Sequence, residues 1–349
     1  MAARSQRPRR RVQGGGDSGV NASRSRQERS EHTVGVESGA PAPPTHDFTI
    51  VVVTHNSAPD LKRLLASIAN HLQPRPPVIV VDAASQDDSA AVASTYRCEV
   101  IELHRNVGFG AACNLGVERA STEATVLLNP DCELSDSSIV QLVAFAVRNQ
   151  CIAAPRLLNS DGSVQDSAHC IPASLWSVIG AVAPRRLLPH PLRSRVEPHR
   201  SRAARPVGWV IAACVAAPTR VLRKLGPFEA RDFLFYEDLD LCLRARKLGV
   251  ETWLVPEVRI THAGGTSVKR AMGDRSAFLK AARRREVVRR RLGAHALVAD
   301  DVCELATYSL RLIGRTVLRL PADRDRRNLL AHWAAIRAPR AAGRKTPLA

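Results

Sequence analysis

Between residues 48 and 129 the chain alternates short β-branched runs with segments of helical apolar spacing. The first run, residues 48–53, is typical of a strand buried on both faces. After Ser57, a helix-capping residue type, apolar residues repeat every three or four positions: Leu61, Leu64, Leu65, Ile68 and Leu72. The alternation then predicts a strand at 78–81, a helix at 87–97, a strand at 99–103, a helix at 109–120 and a strand at 125–129. Strands that alternate with helices predict a parallel sheet with right-handed crossovers.

Polar residues follow three of these strands at the point where each strand ends. They are Thr54-His55-Asn56, Asp82 and Asn129-Pro130-Asp131. Because the carboxyl ends of parallel strands meet at one edge of a sheet, where α/β proteins bind ligands, we expect a binding site at this edge. Each cluster taken alone fits equally well a loop in which Asp or Asn satisfies turn amides.

The segment from Arg105 to Gly110 leads from a predicted strand into a predicted helix. It lacks the third glycine of a dinucleotide fingerprint and follows the third strand rather than the first. By itself it predicts a strand-to-helix turn and gives weak support for phosphate binding.

Residues 182–206 contain five prolines and seven arginines. This composition predicts a loop without regular structure. The loop is interpreted as a solvated linker, or alternatively as a mobile flap that meets an anionic substrate.

An acidic cluster follows the aromatic run at residues 233–236. Glu237, Asp238 and Asp240 lie at the predicted start of a helix, where the helix dipole favours carboxylates. Three acids this close cannot all be buried without partners. They fit a capped helix start, and they also fit a proton-abstracting base with supporting groups.

The net charge of +18 is unevenly distributed along the chain. Residues 1–46 carry +4 and few apolar residues, and they are predicted to be a disordered basic tail. Residues 47–269 carry only +2, whereas residues 270–349 carry +12. A nearly neutral centre with basic ends predicts a catalytic or binding domain with an electrostatic extension.

The C-terminal region contains two predicted helices. The first, at residues 276–291, is basic, and the second spans residues 299–320. The second helix carries an apolar stripe: Val302, Leu305, Leu312, Ile313, Val317 and Leu320. Its arginines follow at spacings of four: Arg311, Arg315 and Arg319. Apolar stripes flanked by arginine are typical of helices at an anionic membrane surface. The alternative is a helix packed on the catalytic domain with a solvated basic face.

Several classes of protein are disfavoured by composition. The eight cysteines have neither metal-ligand spacing nor the pattern of a disulfide framework, which favours a reducing, cytoplasmic location. No apolar run long enough for a membrane span is found, and the first residues lack a signal-peptide core. Aromatic residues make up 4%, and no nucleic-acid motif is found, so a nucleic-acid partner is not expected.

Six motifs in order resemble the inverting family 2 glycosyltransferases of the GT-A fold, near the bacterial rhamnosyltransferase branch. The resemblance covers about residues 48–292 and rests on these segments: 53–57, 80–85, 105–110 with Asn114 and Gly116, 127–131, 237–240 and 262–267. It implies an α/β fold with a mostly parallel sheet flanked by helices. The expected domains are a GT-A domain at 47–270, with a nucleotide-binding half at 47–150 and an acceptor half at 151–270, and a basic helical extension at 271–349.

The resemblance also implies roles for individual residues. Asp238 would be the base that deprotonates the acceptor hydroxyl, and Glu237 would help to hold the acceptor. Asp131 and His262 would bind a divalent metal, Mg²⁺ or Mn²⁺, beside the diphosphate. Asp82 would accept a hydrogen bond from a pyrimidine ring. The remaining donor-binding residues would be Thr54, Asn56, Arg105, Asn106, Gly108, Asn114 and Asn129.

This chain departs from the family pattern at two positions. Asn129 stands where the first acid of the DxD-type motif is usual, so Asp131 and His262 are the obvious metal ligands. Such ions keep waters and take oxygens from substrate phosphates, so two protein ligands are compatible with Mg²⁺ or Mn²⁺. His55 stands where an aromatic residue often follows Thr54, which weakens the case for base stacking there.

The expected function is therefore transfer of a sugar, best L-rhamnose from dTDP-L-rhamnose, to a cell-envelope glycan or polyprenyl-diphosphate-linked acceptor. The enzyme is expected at the inner face of the plasma membrane, held by anionic lipid. The alternatives are a UDP-hexose donor, a catalytically silent partner subunit, or a nucleic-acid- or membrane-binding protein with an inert core.

Overall fold

The computed structural model describes residues 47–183, 188–226, 228–229, 235–264 and 275–338. The predicted tail at 1–46 lies outside these residues, as does the region after 338. Parts of three predicted features also lie outside them: residues 184–187, 230–234 and 265–274.

The strands begin with β1, whose sequence is β-branched throughout its centre. Within the described residues they are β1 (Phe48–Thr54), β2 (Val78–Asp82), β3 (Glu99–Glu102), β4 (Ala124–Leu128), β5 (Cys132–Leu134), β6 (Ile152–Leu158), β7 (Ala168–His169), β8 (Arg205–Val207), β9 (Trp209–Val210), β10 (Cys214–Pro218) and β11 (Thr252–His262).

The helices alternate with these strands and then form a C-terminal group. Within the described residues they are α1 (Ala58–His71), α2 (Ser89–Thr95), α3 (Phe109–Arg119), α4 (Ile139–Asn149), α5 (Leu175–Val182), α6 (His190–Val196), α7 (Thr219–Leu225), α8 (Glu237–Lys247), α9 (Arg275–Leu292), α10 (Ala294–Val317) and α11 (Asp323–Arg337). The elements predicted between residues 48 and 129, and the two predicted C-terminal helices, are confirmed to within a few residues at most ends and five at the start of α10.

Nine of the described strands form one sheet, in the order β3-β2-β1-β4-β10-β6-β11-β5, with β8 also paired to β11. Strand β1 pairs in parallel with β2 on one side and with β4 on the other, and β2 pairs in parallel with β3. Strand β10 is antiparallel to both β4 and β6, and β11 is parallel to β6. Six of the nine strands therefore run in one direction, which confirms the predicted fold class.

Side chains from β1 enter two separate apolar cores, one on each face of the sheet. Phe48, Ile50 and Val52 pack with α1 on one face, and Val51 and Val53 pack with α3 on the other. This alternation explains why the strand is apolar at successive positions. On the α3 side, a Cβ at Gly116 would lie 2.3 Å from Val51, so only glycine permits this close packing.

The prediction of an irregular loop at 182–206 is wrong for most of its described residues. The segment contains α6, a short 3₁₀ helix at Pro198–Arg200 and the start of β8. Pro191 lies in the first turn of α6, where proline costs no helical hydrogen bond. Glu197 pairs with Arg193 at 2.9 Å and with Arg200 at 3.0 Å, which offsets part of the local charge.

The C-terminal helices α9, α10 and α11 pack against one another, and α9 also packs against α8. On the other side of α10 lies α5. Among the helices of the described residues, none combines the length and hydropathy needed to cross a bilayer.

Candidate active site

The edge formed by β1 and β2 brings the first predicted donor residues together. Thr54 and Asp82 are register partners at the ends of these strands, and both are buried. The Asp82 Oδ1 atom accepts a hydrogen bond from the Ser85 amide at 2.9 Å, which orients the carboxylate. Asn56 is exposed, has a left-handed φ of 50°, and accepts from the Gln86 amide at 2.7 Å. Asp82 and Asn56 thus bind backbone amides, as Asp and Asn often do in turns, and they do so at the edge where the site is predicted.

The start of α1 is held by Asp87, which the sequence did not single out. Ser57 lies at the N-cap position, but its hydroxyl donates to the His55 carbonyl at 2.9 Å. The Asp87 carboxylate instead accepts from the Ala58 amide at 2.9 Å and from the Ser89 hydroxyl at 2.5 Å. Slight burial opposes ionisation, but these hydrogen bonds outweigh it and hold the pKa of Asp87 below its usual value.

The predicted phosphate-binding segment forms the turn into α3. Gly108 has a φ of 87°, and its amide donates to Asn106 Oδ1 at 2.9 Å. Arg105 and Asn106 are exposed. Asn114, one turn into α3, uses both ends of its amide on the backbone of Phe228, at 2.9 Å each. Asn114 therefore anchors the segment that precedes the acidic cluster, and its donor-binding role stays a prediction.

Asp131 and His262 meet as predicted, although 131 residues of sequence separate them. His262 Nε2 lies 3.3 Å from Asp131 Oδ1, and β11, which ends at His262, pairs with β5 directly after Asp131. The Ala263 amide donates to the Asp131 carbonyl at 2.9 Å, which fixes the two segments together. Asp131, Cys132 and His262 form a candidate metal site.

The surroundings of this site favour the carboxylate and the imidazole as metal ligands. His262 Nδ1 lies 2.8 Å from Gln165 Oε1, an acceptor, so the proton belongs on Nδ1 and the Nε2 lone pair faces Asp131. The Cys132 thiol donates to the Ala213 carbonyl at 3.3 Å, and burial raises its pKa well above the usual value. Asn129 Oδ1 is buried and has no hydrogen-bond partner among the described residues. An oxygen and a nitrogen ligand beside an unsatisfied amide oxygen fit Mg²⁺ or Mn²⁺.

Asp238 has the properties expected of a general base. It is partly exposed, and its Oδ1 accepts from the Leu239 amide at 2.8 Å. Its Oδ2 lies 3.4 Å from the Ala212 amide. Burial raises the pKa of Asp238 to about 6, against the hydrogen bonds that lower it. A carboxylate with this pKa is ionised at neutral pH and is more basic than an ordinary aspartate.

A dipeptide between β9 and β10 joins the base to the metal site. The Ala212 amide faces Asp238, while the Ala213 carbonyl accepts from the Asn129 amide at 2.8 Å and from the Cys132 thiol. Asp238 and the segment that carries Asp131 therefore contact the same short backbone segment. Alanine carries no chemical signal, so the sequence could not identify this connection.

The other two acids of the cluster differ from Asp238. Glu237 is 8% exposed, at the first position of α8. Asp240 is fully buried and pairs with Arg244, Arg290 and Arg291 at 2.6–2.9 Å. Burial opposes its ionisation, but these arginines outweigh it and hold the pKa of Asp240 below its usual value. Asp240 is a structural acid, which leaves Asp238 as the accessible candidate base.

Residues 49–201 match the family described as glycosyl transferase family 2. These residues form a family 2 glycosyltransferase domain. The match includes the predicted donor residues and Asp131, and it ends before Asp238 and His262. The placement of those two residues at the site of this glycosyltransferase stays a prediction.

Two curated relatives are similar to this glycosyltransferase. An N-acetylglucosaminyl-diphospho-decaprenol L-rhamnosyltransferase of Mycobacterium tuberculosis is 29% identical over 238 residues, covering 62% of this chain and 76% of the relative. A low-salt glycan biosynthesis hexosyltransferase of Haloferax volcanii is 25% identical over 206 residues, covering 58% of this chain and 62% of the relative.

A solved structure of a Pyrobaculum calidifontis mannosyltransferase with GDP-Man and Mn²⁺ has the same fold. Its TM-score is 0.51 at 17% identity, and the match covers 84% of this chain and 87% of that chain. At this identity the likeness establishes the fold of the glycosyltransferase and leaves its donor open.

Proposed function

We propose that this glycosyltransferase moves a sugar from a nucleotide diphosphate to an acceptor hydroxyl by single displacement, with inversion at the anomeric carbon. The observation that carries the proposal is the Ala212-Ala213 connection. The Ala212 amide lies 3.4 Å from the carboxylate of Asp238, whose pKa is raised, and the Ala213 carbonyl binds Cys132, the neighbour of Asp131 in the Asp131–His262 pair. A single displacement needs a base for the nucleophile and stabilised charge at the leaving group, and the site supplies both.

In this mechanism Asp238 accepts the proton of the acceptor hydroxyl while that oxygen forms a bond to the anomeric carbon. The bond between the anomeric carbon and the diphosphate oxygen breaks, and its electron pair leaves with the nucleoside diphosphate. The hydrogen bonds from Leu239 and Ala212 fix the direction of the carboxylate without occupying its full acceptor capacity. Glu237, the neighbouring residue on α8, orients the acceptor.

The charge that develops on the leaving group needs a positive partner. Asp131 and His262 would hold a divalent cation, which would supply Lewis-acid stabilisation of this charge. Gln165 keeps the His262 Nε2 lone pair directed at Asp131, and Asn129, two residues before Asp131, has a buried Oδ1 atom with no hydrogen-bond partner among the described residues. The donor pyrimidine pairs with Asp82 at the adjacent strand ends, and Thr54, Asn56, Arg105, Asn106 and Gly108 complete the donor surface.

The proposed donor is dTDP-L-rhamnose, and the proposed acceptor is a polyprenyl-diphosphate-linked or cell-envelope glycan. The support is the L-rhamnosyltransferase relative, together with the carboxylate of Asp82 at the position that suits a pyrimidine NH. A UDP-hexose is the second candidate, because another relative is a hexosyltransferase.

The deciding experiment measures nucleoside diphosphate release by the purified full chain with dTDP-L-rhamnose, UDP-glucose, UDP-galactose and GDP-mannose, each with a lipid-linked acceptor. We expect release only with dTDP-L-rhamnose, and we expect Asp238→Asn to abolish most of it. Release with a UDP-sugar alone would replace the donor. Release with none of them, across a wider donor panel, would contradict the transferase proposal.

The enzyme is also proposed to contact an anionic membrane surface from the cytoplasmic side. The support is a row of exposed aliphatic side chains on α10: Val298, Val302, Ile313 and Val317, which are 59–75% exposed. The helix α5, packed beside α10, adds Leu175 and Val182, which are 67% and 62% exposed. These apolar side chains can enter the interfacial region of a bilayer.

The arginine row on α10 does not flank this face as expected. Arg315 lies two residues from both Ile313 and Val317, so its side chain leaves the helix about 200° around the axis from theirs. It pairs instead with Asp325 at 3.0 Å. We expect Val302→Asp with Val317→Asp to reduce flotation with anionic liposomes, while Arg311→Gln, a change on the other side of α10, alters it less. Equal flotation of all three proteins would contradict a role for this face.

A further inference from the structure

The helix α9 follows the acidic cluster closely along its length. Lys280 Nζ lies 4.9 Å from the ring centroid of Phe235, and Arg284 Cζ lies 5.8 Å from that of Tyr236. Further along α9, Arg291 Nε lies 2.6 Å from Asp240 Oδ1. These contacts bracket Glu237 and Asp238 on both sides in the sequence.

On the C-terminal side of the base, Asp240 attaches α8 to α9. Arg291 binds both carboxylate oxygens, at 2.6 Å and 3.0 Å, and Arg290 adds a contact at 2.9 Å. Asp240 lies two residues after Asp238, so its side chain leaves the helix about 200° away from that of the base. Arg290 and Arg291 therefore bind the first turn of α8 on the face opposite Asp238, while Asp238 faces Ala212.

On the N-terminal side, the backbone before the base is in an unfavourable conformation. Phe235 and Tyr236 have left-handed φ angles of 70° and 61°, which cost non-glycine residues free energy. Tyr236 lies between Trp209, at 5.8 Å, and Arg284. Arg284 is itself fixed by two hydrogen bonds to Asp300 of α10, at 2.8 Å and 2.7 Å. The C-terminal helices thus supply the contacts that offset this backbone conformation.

We infer that Arg284 and Arg291 are positioning residues for the catalytic base, and that α9 and α10 belong to the active-site scaffold rather than to a separable extension. The inference rests on the proposed role of Asp238. A base must lie within hydrogen-bond reach of the proton that it removes, and displacement of a catalytic group by about 1 Å can reduce the rate about a hundredfold.

The same helix offers a matched control for Arg291. Arg285 also has a buried ion pair, with Asp301 of α10, and its side chain is 18% exposed against 19% for Arg291. Its partner Asp301 also binds His332 of α11 at 3.0 Å. Loss of Arg285 removes a comparable ion pair from the C-terminal helices without touching α8.

The experiment compares Arg291→Ala, Arg291→Lys and Arg285→Ala in the full chain, with kcat, donor KM and thermal unfolding measured for each. We expect Arg291→Ala to lower kcat by about tenfold to a hundredfold, with donor KM changed by less than about threefold, because the ion pairs of Arg291 are with Asp240 and Glu229 and not with the predicted donor residues. Arg291→Lys retains the charge but not the two-pronged geometry, so it should recover only part of kcat. Arg285→Ala should lower the unfolding midpoint similarly and keep kcat.

Equal losses of kcat in Arg291→Ala and Arg285→Ala at equal loss of stability would overturn the inference, as would a change in KM alone. If Arg291→Ala does not fold, Arg291→Lys decides: wild-type kcat in that protein overturns the positioning role, and reduced kcat at unchanged KM supports it. Asp238→Asn is measured beside them. High turnover in Asp238→Asn would refute the proposed base itself, whereas an inactive Asp238→Asn with a fully active Arg291→Ala would refute only the positioning role.

Discussion

Two regions of the molecule use their polar residues differently. One is the strand-end region, the carboxyl ends of β1, β2 and β4 with the polar residues that follow them, and the other is the group of C-terminal helices α9 to α11. At the strand ends, Thr54, Asp82 and Asp131 face the edge of the sheet where the chain alternation predicts a site. In α9, the first of the C-terminal helices, most arginines instead pair with acids of α8, α9 and α10. The function of a polar residue at a strand end follows from its place in the element, whereas the function of a helical arginine depends on a partner far away in sequence.

The arginines of α9 illustrate this dependence. Of the six between residues 283 and 291, only Arg289 is exposed. The others pair with acids: Glu286, Asp300, Asp301 and Asp240. A charge run that predicts an electrostatic surface is here mostly an internal network. Three of these acids are already subtracted in the +12 of residues 270–349, so Asp240 is the one that lowers the charge of this region further.

The largest expected effect lies where the two regions meet. Asp238→Asn keeps the size of the side chain and removes its basicity, so kcat should fall by at least about a hundredfold. Binding of dTDP, measured by calorimetry, should stay unchanged because the donor residues are untouched. Near-normal turnover would exclude Asp238 as the base and would direct attention to Glu237, since Asp240 is held by arginines.

The metal site is the next largest test, and it belongs to the strand-end region. His262→Ala should weaken Mn²⁺ binding in the presence of dTDP by more than about a hundredfold, and Gln165→Ala by about tenfold to a hundredfold. Calorimetry with Mn²⁺ measures both. Cys132→Ala is the control and should change affinity by less than about threefold, because burial raises the pKa of this thiol, which stays protonated and donates a hydrogen bond to the Ala213 carbonyl.

Full activity of the wild-type enzyme in excess EDTA would contradict the metal proposal. Stabilisation of the leaving group would then fall to arginines, among them those of the 182–206 segment. That result would also mean that the strand-end region lacks the metal site that the sequence predicted.

The pH dependence tests whether burial of the base is functional. Because burial raises the pKa of Asp238 to about 6, the base is ionised above that pH and protonated below it. We expect kcat to be level between about pH 7 and 8 and to fall about tenfold per unit below about pH 6. Circular dichroism at each pH verifies that the protein stays folded. An acid limb near pH 4 would mean that Asp238 titrates as an ordinary exposed aspartate.

The sequence predicted the donor-side fold because strands β1, β2 and β4 are apolar on both faces and are followed by polar residues. It also brought Asp131 and His262 to one site, through the family resemblance. It could not identify Gln165, which lies in a polar loop like many others, or Ala212, whose contribution is its backbone amide. Helix α6 was missed because a high content of proline and arginine indicates a loop. Glu197 pairs with two of the arginines, but one acid among seven arginines gives no recognisable sequence pattern.

The smallest expected effect concerns recognition of the nucleotide's pyrimidine ring by Asp82. It separates nucleotide recognition from metal binding within the strand-end region. Asp82→Asn keeps an oxygen for the Ser85 amide, which Asp82 binds at 2.9 Å, so the loop should keep its shape. The substitution replaces a charged acceptor with a neutral group that also donates, so the pairing with a pyrimidine NH weakens. We expect dTDP affinity to fall by about tenfold, or about 1.4 kcal/mol.

Titration of the wild-type enzyme and Asp82→Asn with dTDP, UDP and GDP distinguishes the contributions. A loss for dTDP and UDP with unchanged weak GDP binding would support the pairing, whereas equal losses for all three would mean that Asp82 acts through the loop. Preference of the wild-type enzyme for GDP would overturn the pyrimidine argument. Preference for UDP over dTDP would overturn only the rhamnose assignment, because one apolar contact changes discrimination by about 1–3 kcal/mol, and a single methyl group distinguishes the two bases.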